Sequence, residues 1–480
     1  MRGEWEYDGA IVSDYFAIEE MESRHKVTAD IPTAAKLALD AGVDIDFPDG
    51  ASYKFLGQLL SEGRITQAQI DSAVRHILRM KFNAGLFEQP YVLDSAPALA
   101  SNGPEGVALA RKAAEKSLIL LKNDGVLPLA LPEGVGNKPT IAVIGPNADV
   151  ARLGGYYGIP RNTVTPLEGI RALVGDRANI VHAKGVEITL EDDWWEDKVE
   201  LADPAENRRM IAQAVEAARG ADTIILFIGD TEQTSREGWA DNHLGDRTSL
   251  DLVGEQNELF AALKALGKPI VSVLVNGRPP SYLTVAEQSD AILETWYAGE
   301  QQGIAIANAL FGRVNPGGKL PVTVARNVGQ LPNFYNHKPS ARRGYLFDEV
   351  TPLYPFGFGL SYTDFEIGAP TLSSASIASG QGVTVRVPVT NTGSMAGDEV
   401  VQVYLRDNVS SVTRPVKELV GFDRVTLQPD ETRNVDIAIR PNAFAFWDRD
   451  MKRIVEPGEF TIMVGPNSAN LQEVTLTVTQ

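Results

Sequence analysis

The 480-residue sequence contains no cysteine. That excludes disulfides, thiolate metal sites and a cysteine nucleophile. It leaves the compartment open, since exported proteins without cysteine are common. Positive charge is also scarce: 44 Lys and Arg stand against 63 Asp and Glu, a net charge of −19. A binder of phosphate backbones carries a basic footprint, so no nucleic acid is expected as partner, and the acidic excess reads as solubility. No run of eighteen apolar residues occurs, so no membrane partner is expected. Residues 1–9 show no basic-then-apolar segment of the kind that makes a secretory leader. Neither G-x-G-x-x-G nor G-x-x-x-x-G-K is present. "GPNAD" (145–149) and the Gly-rich "RLGGYYG" (152–158) therefore read as sugar-site or structural turns, not nucleotide loops. No cofactor is expected, and His243, without a second histidine at ligand spacing, makes no metal site.

Apolar residues make up 44% of the chain, enough for real cores, and the length suggests about three domains. Over residues 30–90 the pattern runs helix, strand, helix. "PTAAKLALDAG" has apolar residues at helical spacing and stops at Gly42, and "VDIDFP" is a short strand closed by Pro48. "ITQAQIDSAVRHILRMKFNAGLF" is an amphipathic helix with Ile70, Val74, Ile77 and Leu78 on one face. "ARKAAEKSLILLKN" turns from helix into an apolar run. Apolar strands at 140–145, 221–229, 269–277 and 291–299 then alternate with amphipathic helices that end at glycines. This predicts an open, mostly parallel α/β sheet with helices on both faces. From about residue 370 the period becomes two, as in "VTVRVPVTNTG" and "EVVQVYLRD", which predicts a β-sandwich of roughly 100 residues.

Two stretches carry the chemistry. In "YDGAIVSDYFAIEEM" (7–21) the apolar residues Ala10–Val12 read as a buried strand delivering Asp14 at its carboxyl end, where β/α architectures place catalytic groups. The same Ser-Asp pair equally suits a helix cap. "GDTEQTSREGWADNHLGDRTSLDL" (229–252) is a long charged and aromatic loop after a strand, holding Glu232, Glu237, Trp239, Asp241, His243 and Asp246. Loops of this length inside a compact domain are usually functional or disordered. Trp with carboxylates and Arg suits a sugar, and a solvated loop with a satisfied Asp-Arg pair is the plain alternative. The pair Trp194–Trp195 reads as core or as an exposed platform, and the sequence does not decide.

"GAIVSDYFAIEEM" followed by "ALDAGVDIDFP" resembles the end of the barrel domain of glycoside hydrolase family 3. "SREGWADNHLGDRTSLDL", "ILETWYAGEQQGIAIANALFGRVNPGGKLPVT" and "YPFGFGLSYTDF" resemble that family's α/β sandwich domain. "VTNTGSMAGDEVVQVYL…RPVKELVGFDRVTLQPDE" is similar to its fibronectin-III-like domain. The resemblance implies a multidomain chain: a (β/α)8-barrel remnant (1–90), a linker (91–120), an α/β sandwich (121–345), a linker (346–375) and a fibronectin type III-like domain (376–480). It also implies a retaining, exo-acting β-glucosidase. One carboxylate attacks the anomeric carbon, and a second carboxyl, about 5–5.5 Å away with a raised pKa, protonates the leaving oxygen and then activates water. By motif Asp14 matches the nucleophile and Glu237 the acid/base, with Glu20 as the competing acid/base. Tyr15, Trp239 and Arg236 are the expected substrate contacts. The implied partner is a β-linked gluco-oligosaccharide or an aryl glucoside, the candidate assembly is a homodimer, and the implied location is periplasmic or secreted.

The departures are informative. Tyr15 stands where many relatives have Trp. The Lys-His pair of the family's sugar-binding barrel residues occurs nowhere in this sequence, and "RGEWEYDG" matches a helix-to-strand segment in mid-domain. The expectation is that the chain is the C-terminal part of a longer enzyme. An inactive scaffold is then the alternative reading, and β-xylosidase or exo-β-glucanase the alternatives within the class. The single-domain N-acetylglucosaminidase branch fits less well, because its loop His is not apparent here.

Overall fold

The computed structural model describes residues 1–92, 103–132, 138–158, 160, 162–238, 242–341 and 344–480. They form two compact units, Met1–Gly103 and Pro104–Gln480.

In the first unit the helices are Ala17–Ser23, Ile31–Asp40, Leu56–Ser61 and Gln67–Asn83. Local chemistry sets their ends. Asp30 caps the second helix by accepting from the Thr33 amide at 2.7 Å, and Thr66 and Gln69 form a reciprocal capping box on the last. Gly42 follows the second helix at φ +88°, a conformation that favours glycine. The strands expected at 10–12 and 43–48 come together in parallel, but only as one bridge, Val12 with Ile45. Ser13 donates its amide to Ile45 at 3.0 Å, and Asp44 donates its own to Ile11 at 2.8 Å. Val12 is half exposed rather than buried, because among the described residues each segment has only the other as a ladder partner. The expected apolar face of the last helix is likewise only partly covered: Ala73 is buried, but Val74 and Leu78 are nearly half exposed.

The second unit is built on a six-stranded sheet: β1 (Ile119–Asn123), β2 (Thr140–Ile144), β3 (Asn179–Ala183), β4 (Thr223–Gly229), β5 (Ile270–Val275) and β6 (Ala291–Glu294). Their order is β1-β6-β5-β4-β2-β3, with β1 antiparallel and every other pairing parallel. Both faces are covered, so the strands are apolar on both sides. Ile224, Leu226 and Ile228 of β4 enter one core with helices Pro204–Ala218, Gln256–Lys264 and Leu283–Gln288. Ile225 and Phe227 enter the other with Pro104–Ser117, Pro166–Val174 and Gln302–Leu310.

Parts of the two stretches expected as linkers, 104–120 and 346–375, contribute elements to this unit. Within 91–120, of which 93–102 lie outside the described residues, Pro104–Ser117 is helical and Leu118 to Leu120 are core. Within 346–375, Leu360 bridges Leu120 at the sheet edge. There too β7 (Phe365–Ile367) and β8 (Thr371–Leu372) pair with the strand Val383–Asn391. Their apolar residues have partners to bury against, which a free connector would not need.

The sandwich adds β9 (Ser376–Ala378), β10 (Val383–Asn391), β11 (Gly397–Asp407), β12 (Glu418–Leu427), β13 (Thr432–Ile439), β14 (Phe446–Trp447), β15 (Arg453–Ile454), β16 (Gly458–Gly465) and β17 (Gln472–Thr479). One sheet runs β13-β10-β7 and the other β12-β11-β16-β17-β9. The period-two pattern is realised directly: Val383, Val385, Val387 and Val389 pack against Val401, Val403, Phe460 and Ile462. Asp398 fastens the sandwich to the α/β part, taking Lys116 from one side and Arg424 Nε, at 2.9 Å, from its own. Lys319 pairs with Glu399 at 2.8 Å beside it.

Candidate active site

Asp14 follows the Val12–Ile45 bridge directly, and its side chain is exposed. The Tyr15 amide donates to Asp14 Oδ1 at 2.7 Å. The turn is held from the neighbouring segment: Phe47 donates its amide to Ser13 Oγ at 2.9 Å and accepts from the Phe16 amide at 2.9 Å. Phe16 lies in the left-handed region at φ 57°, so the chain reverses sharply after the bridge and presents Asp14 outward. Tyr15 is 60% exposed and packs edge-on against Phe47 at 4.8 Å. Behind the bridge, Asp44 is buried between Arg2 Nη2 at 2.5 Å and His76 Nδ1 at 2.9 Å, and it also accepts from the Ile11 amide. This anchor was not recognised in the sequence, since its members lie far apart there. Glu20 sits on the helix Ala17–Ser23, paired with Arg24 at 3.2 Å.

In the second unit β2 and β4 are adjacent while their following helices cover opposite faces, which is the topological switch point of an open α/β sheet. Ligands of such sheets bind in the crevice outside the carboxyl ends there. The residues that follow those two strands are polar and largely buried. Asp230 is fully buried just past β4; Arg247 Nη1 donates to its Oδ1 at 2.8 Å and Thr234 Oγ1 at 3.2 Å. Burial pushes this carboxyl up to about 6, with Arg247 the main opposing influence. Glu232 accepts from Arg152 Nη1 at 2.8 Å and from the Leu153 amide at 3.0 Å. Arg152, itself buried, is held by Asn147 Oδ1 at 3.0 Å.

Over this pair opens a cleft of about 410 Å³, lined by Tyr156, Tyr157, Asp192, Asp193, Trp194, Trp195 and Glu232. Tyr156 and Trp194 have ring centroids 4.6 Å apart, and Trp195 stands edge-on to Trp194 at 4.6 Å. Gly155 makes this approach possible, since a Cβ there would lie 2.4 Å from Trp194 Nε1. Trp195 is 64% exposed and Trp194 intermediate, so the pair is a platform rather than core. Exposed aromatic faces beside carboxylates and a guanidinium can stack on a sugar ring and bond its hydroxyls.

Of the loop residues singled out in the sequence, Glu237 is exposed on the segment that leaves the short helix Glu232–Ser235. Arg236, expected to touch substrate, instead spends its guanidinium on three backbone carbonyls: Leu244 at 2.7 Å, Trp194 at 2.6 Å and Asp197 at 3.1 Å. It is a buried strut of the loop. Trp239 and Asp241 lie outside the described residues. Arg152, Asp192 and the Tyr156–Trp195 contact were not assigned roles from the sequence; their signal was position just beyond strand ends, visible only once the strand order is known.

Comparison with known proteins places this geometry in context. Residues 1–80 match the glycosyl hydrolase family 3 N terminal domain, 118–362 the glycosyl hydrolase family 3 C-terminal domain and 399–468 a fibronectin type III-like domain. A periplasmic β-glucosidase of Salmonella typhimurium is 40% identical, the match covering 98% of this chain and 64% of the relative. A β-xylosidase of Formosa agariphila is also 40% identical, covering 100% of this chain and 66% of the relative. The solved β-glucosidase of Erythrobacter marinus superposes with a TM-score of 0.94 at 44% identity, over 100% of this chain and 64% of that one. This chain thus spans about two thirds of the length of these relatives. The match to the C-terminal domain alone covers half of the sequence, and the chain belongs to glycosyl hydrolase family 3.

Proposed function

We propose that the whole protein is a retaining, exo-acting β-glycosidase of β-glucosidase type, releasing terminal β-D-glucosyl residues through a covalent glycosyl-enzyme. The observation that carries this is the aromatic, carboxylate-lined cleft at the switch point of a family 3 α/β domain. Asp14 is the nucleophile, and its outward presentation with one backbone donor supports that role. Glu237 is the acid/base: it is exposed, whereas the competing Glu20 is engaged by Arg24. Tyr15 and Trp239 are sugar contacts in this reading, and Tyr156, Trp194 and Trp195 receive the leaving-group side. The substrate is a β-linked gluco-oligosaccharide or aryl glucoside; the relative named a β-xylosidase keeps xylosides as the second reading.

The finer architecture belongs to the same proposal. Residues 1–90 are β/α units of a TIM-like barrel. The parallel Val12–Ile45 bridge with two helices between its halves supports this, as does the uncovered face around Val74, Leu78 and Phe82. Residues 121–345 and 376–480 are then the α/β and fibronectin-III-like domains. A periplasmic or secreted location follows the Salmonella relative's name, and among the described residues no helix is long and apolar enough to cross a membrane. A homodimer is supported by Leu346 and Phe347, each more than nine-tenths exposed.

The test is turnover of an aryl β-glucoside by the whole protein and by Asp14→Ala. A loss of about 10³-fold or more is expected for a missing nucleophile. Full turnover by Asp14→Ala would end the assignment, and no turnover by the unaltered protein would favour the scaffold reading.

A further inference from the structure

Glu237 has an exposed side chain, yet the backbone that carries it is held on every described side. The short helix Glu232–Ser235 ends two residues before it, and the carbonyls at that end have no helical partner. Arg278, just past β5, supplies one: its Nε donates to the Ser235 carbonyl at 3.3 Å and its Nη2 to the Arg236 carbonyl. The Arg278 main chain is held within its own loop, where Asn276 Nδ2 donates to its carbonyl at 3.0 Å. Just past β6, Tyr297 donates its hydroxyl to the Thr231 carbonyl at 2.9 Å and meets Ser235 Oγ at 2.8 Å. On the far side the returning segment of the loop leans directly on Glu237: a Cβ on Gly245 would lie 2.5 Å from the Glu237 carbonyl carbon. Asp246 Oδ1 then accepts from the Gly238 amide at 3.2 Å. Arg247, next along, is tied to Asp230 at the end of β4.

We infer that Arg278 is the positioning residue of the acid/base, fixing the Glu237 backbone from the end of the neighbouring strand. The inference rests on the reading of Glu237 as acid/base. A guanidinium suits the task because it bridges two consecutive carbonyls with donors in one plane, which a lysine cannot do. The physical need is clear: a general acid works only within hydrogen-bond reach of the leaving oxygen, and an error of about 1 Å costs on the order of 10²-fold in rate. Arg278 touches no reacting atom in this scheme. It acts through the main chain of residues 235–236.

Two measurements on Arg278→Met and the gentler Arg278→Lys test this, with Glu237→Gly beside them. The first compares an alkyl β-glucoside, whose leaving group needs a proton, with a 2,4-dinitrophenyl β-glucoside, whose leaving group does not. Arg278→Met should lower kcat/KM on the alkyl substrate about 100-fold while changing kcat/KM on the dinitrophenyl substrate by under about threefold, with Arg278→Lys between them. Glu237→Gly should show the same split in kcat/KM, and its kcat on the dinitrophenyl substrate, limited by hydrolysis of the glycosyl-enzyme, should rise with azide, which replaces water without needing a base. If Glu237→Gly behaves so but Arg278→Met loses both substrates equally, Arg278 is only structural and the inference is overturned. Absence of the split in Glu237→Gly overturns the acid/base reading itself. The second measurement needs no turnover: the Gly238 amide should exchange hydrogen about tenfold faster in Arg278→Met. Unchanged exchange in the 480-residue chain would refute the clamp whatever the kinetics show.

Discussion

Glu294 offers the sharpest physical test of the second unit. It is the last residue of β6, with 1% of its surface exposed and no cation paired with it among the described residues. Its Oε1 accepts from the Trp296 amide at 2.9 Å, which holds Trp296 in the left-handed region at φ 53°. On the adjacent strand end, Asn276 Oδ1 is buried without a donor. Burial pushes the Glu294 carboxyl from 4.5 up to about 8, with the Trp296 amide the main opposing influence and the Asp230 carboxylate adding to the rise. A protonated Glu294 therefore occupies the folded state at neutral pH, while the unfolded chain carries the carboxylate. Because the folded pKa is the higher one, the contribution to stability is complete below about 4.5 and is lost as pH rises through about 8. The full span is worth up to about 5 kcal/mol, or about 1.4 kcal/mol per pH unit. Glu294→Gln keeps the shape and an acceptor for Trp296 but cannot ionise. Urea unfolding of both proteins between about pH 7 and 9 lies at least about a unit above the value for Asp230. The variant should gain on the parent by roughly 1 kcal/mol per pH unit up to about pH 8 and then level off. A difference that stays flat across that range would refute the account of Glu294 as a buried neutral acid.

Other consequences are as direct. Arg152→Met leaves Glu232 buried without its partner and should destabilise the second unit by about 3–5 kcal/mol, read from the denaturant midpoint; a change under 1 kcal/mol would mean water reaches Glu232. Trp195→Ala removes an exposed face of the cleft, so KM for a disaccharide should rise about tenfold with kcat and melting temperature nearly unchanged. Equal effects on kcat and KM would place Trp195 elsewhere in the cycle. Gly245→Ala forces a Cβ into the Glu237 backbone; the alkyl-glucoside rate should drop while far-ultraviolet circular dichroism stays the same, and an unaltered rate would show that the loop gives way freely.

The parallel strands were legible because a strand covered on both faces has to be apolar along its length, as "TIILFIG" is, and because glycines close the flanking helices. The sandwich was legible for the opposite reason: one covered face imposes period two, as in Val383 to Val389. Asp14 could be singled out since a strand end followed by a carboxylate is a local pattern. The Glu232–Arg152 pair could not, because its members are 80 residues apart and meet only once β2 and β4 are neighbours. Arg236 is hard to read for a related reason. A charged residue beside two carboxylates reads as a ligand contact until the carbonyls of Trp194, Asp197 and Leu244 are seen to fold around it. At 10–12 the apolar run was read as a buried strand, but ladder formation depends on what lies alongside, which composition does not report.

The pairing of β1 with β6 has a consequence in time. β1 is made first and is the only antiparallel member of the sheet, yet its partner is the last strand, about 170 residues later. At ribosomal rates near 5–20 residues per second, β1 waits roughly 10–30 s for the strand that covers it. During that interval Ile119, Leu120 and Leu121, all buried in the finished protein, have no sheet to join. The four strands from β2 to β5 can assemble as they emerge, while the edge is closed from the far end of the sequence. Chaperones acting on the nascent chain would therefore find their natural footing at residues 118–123.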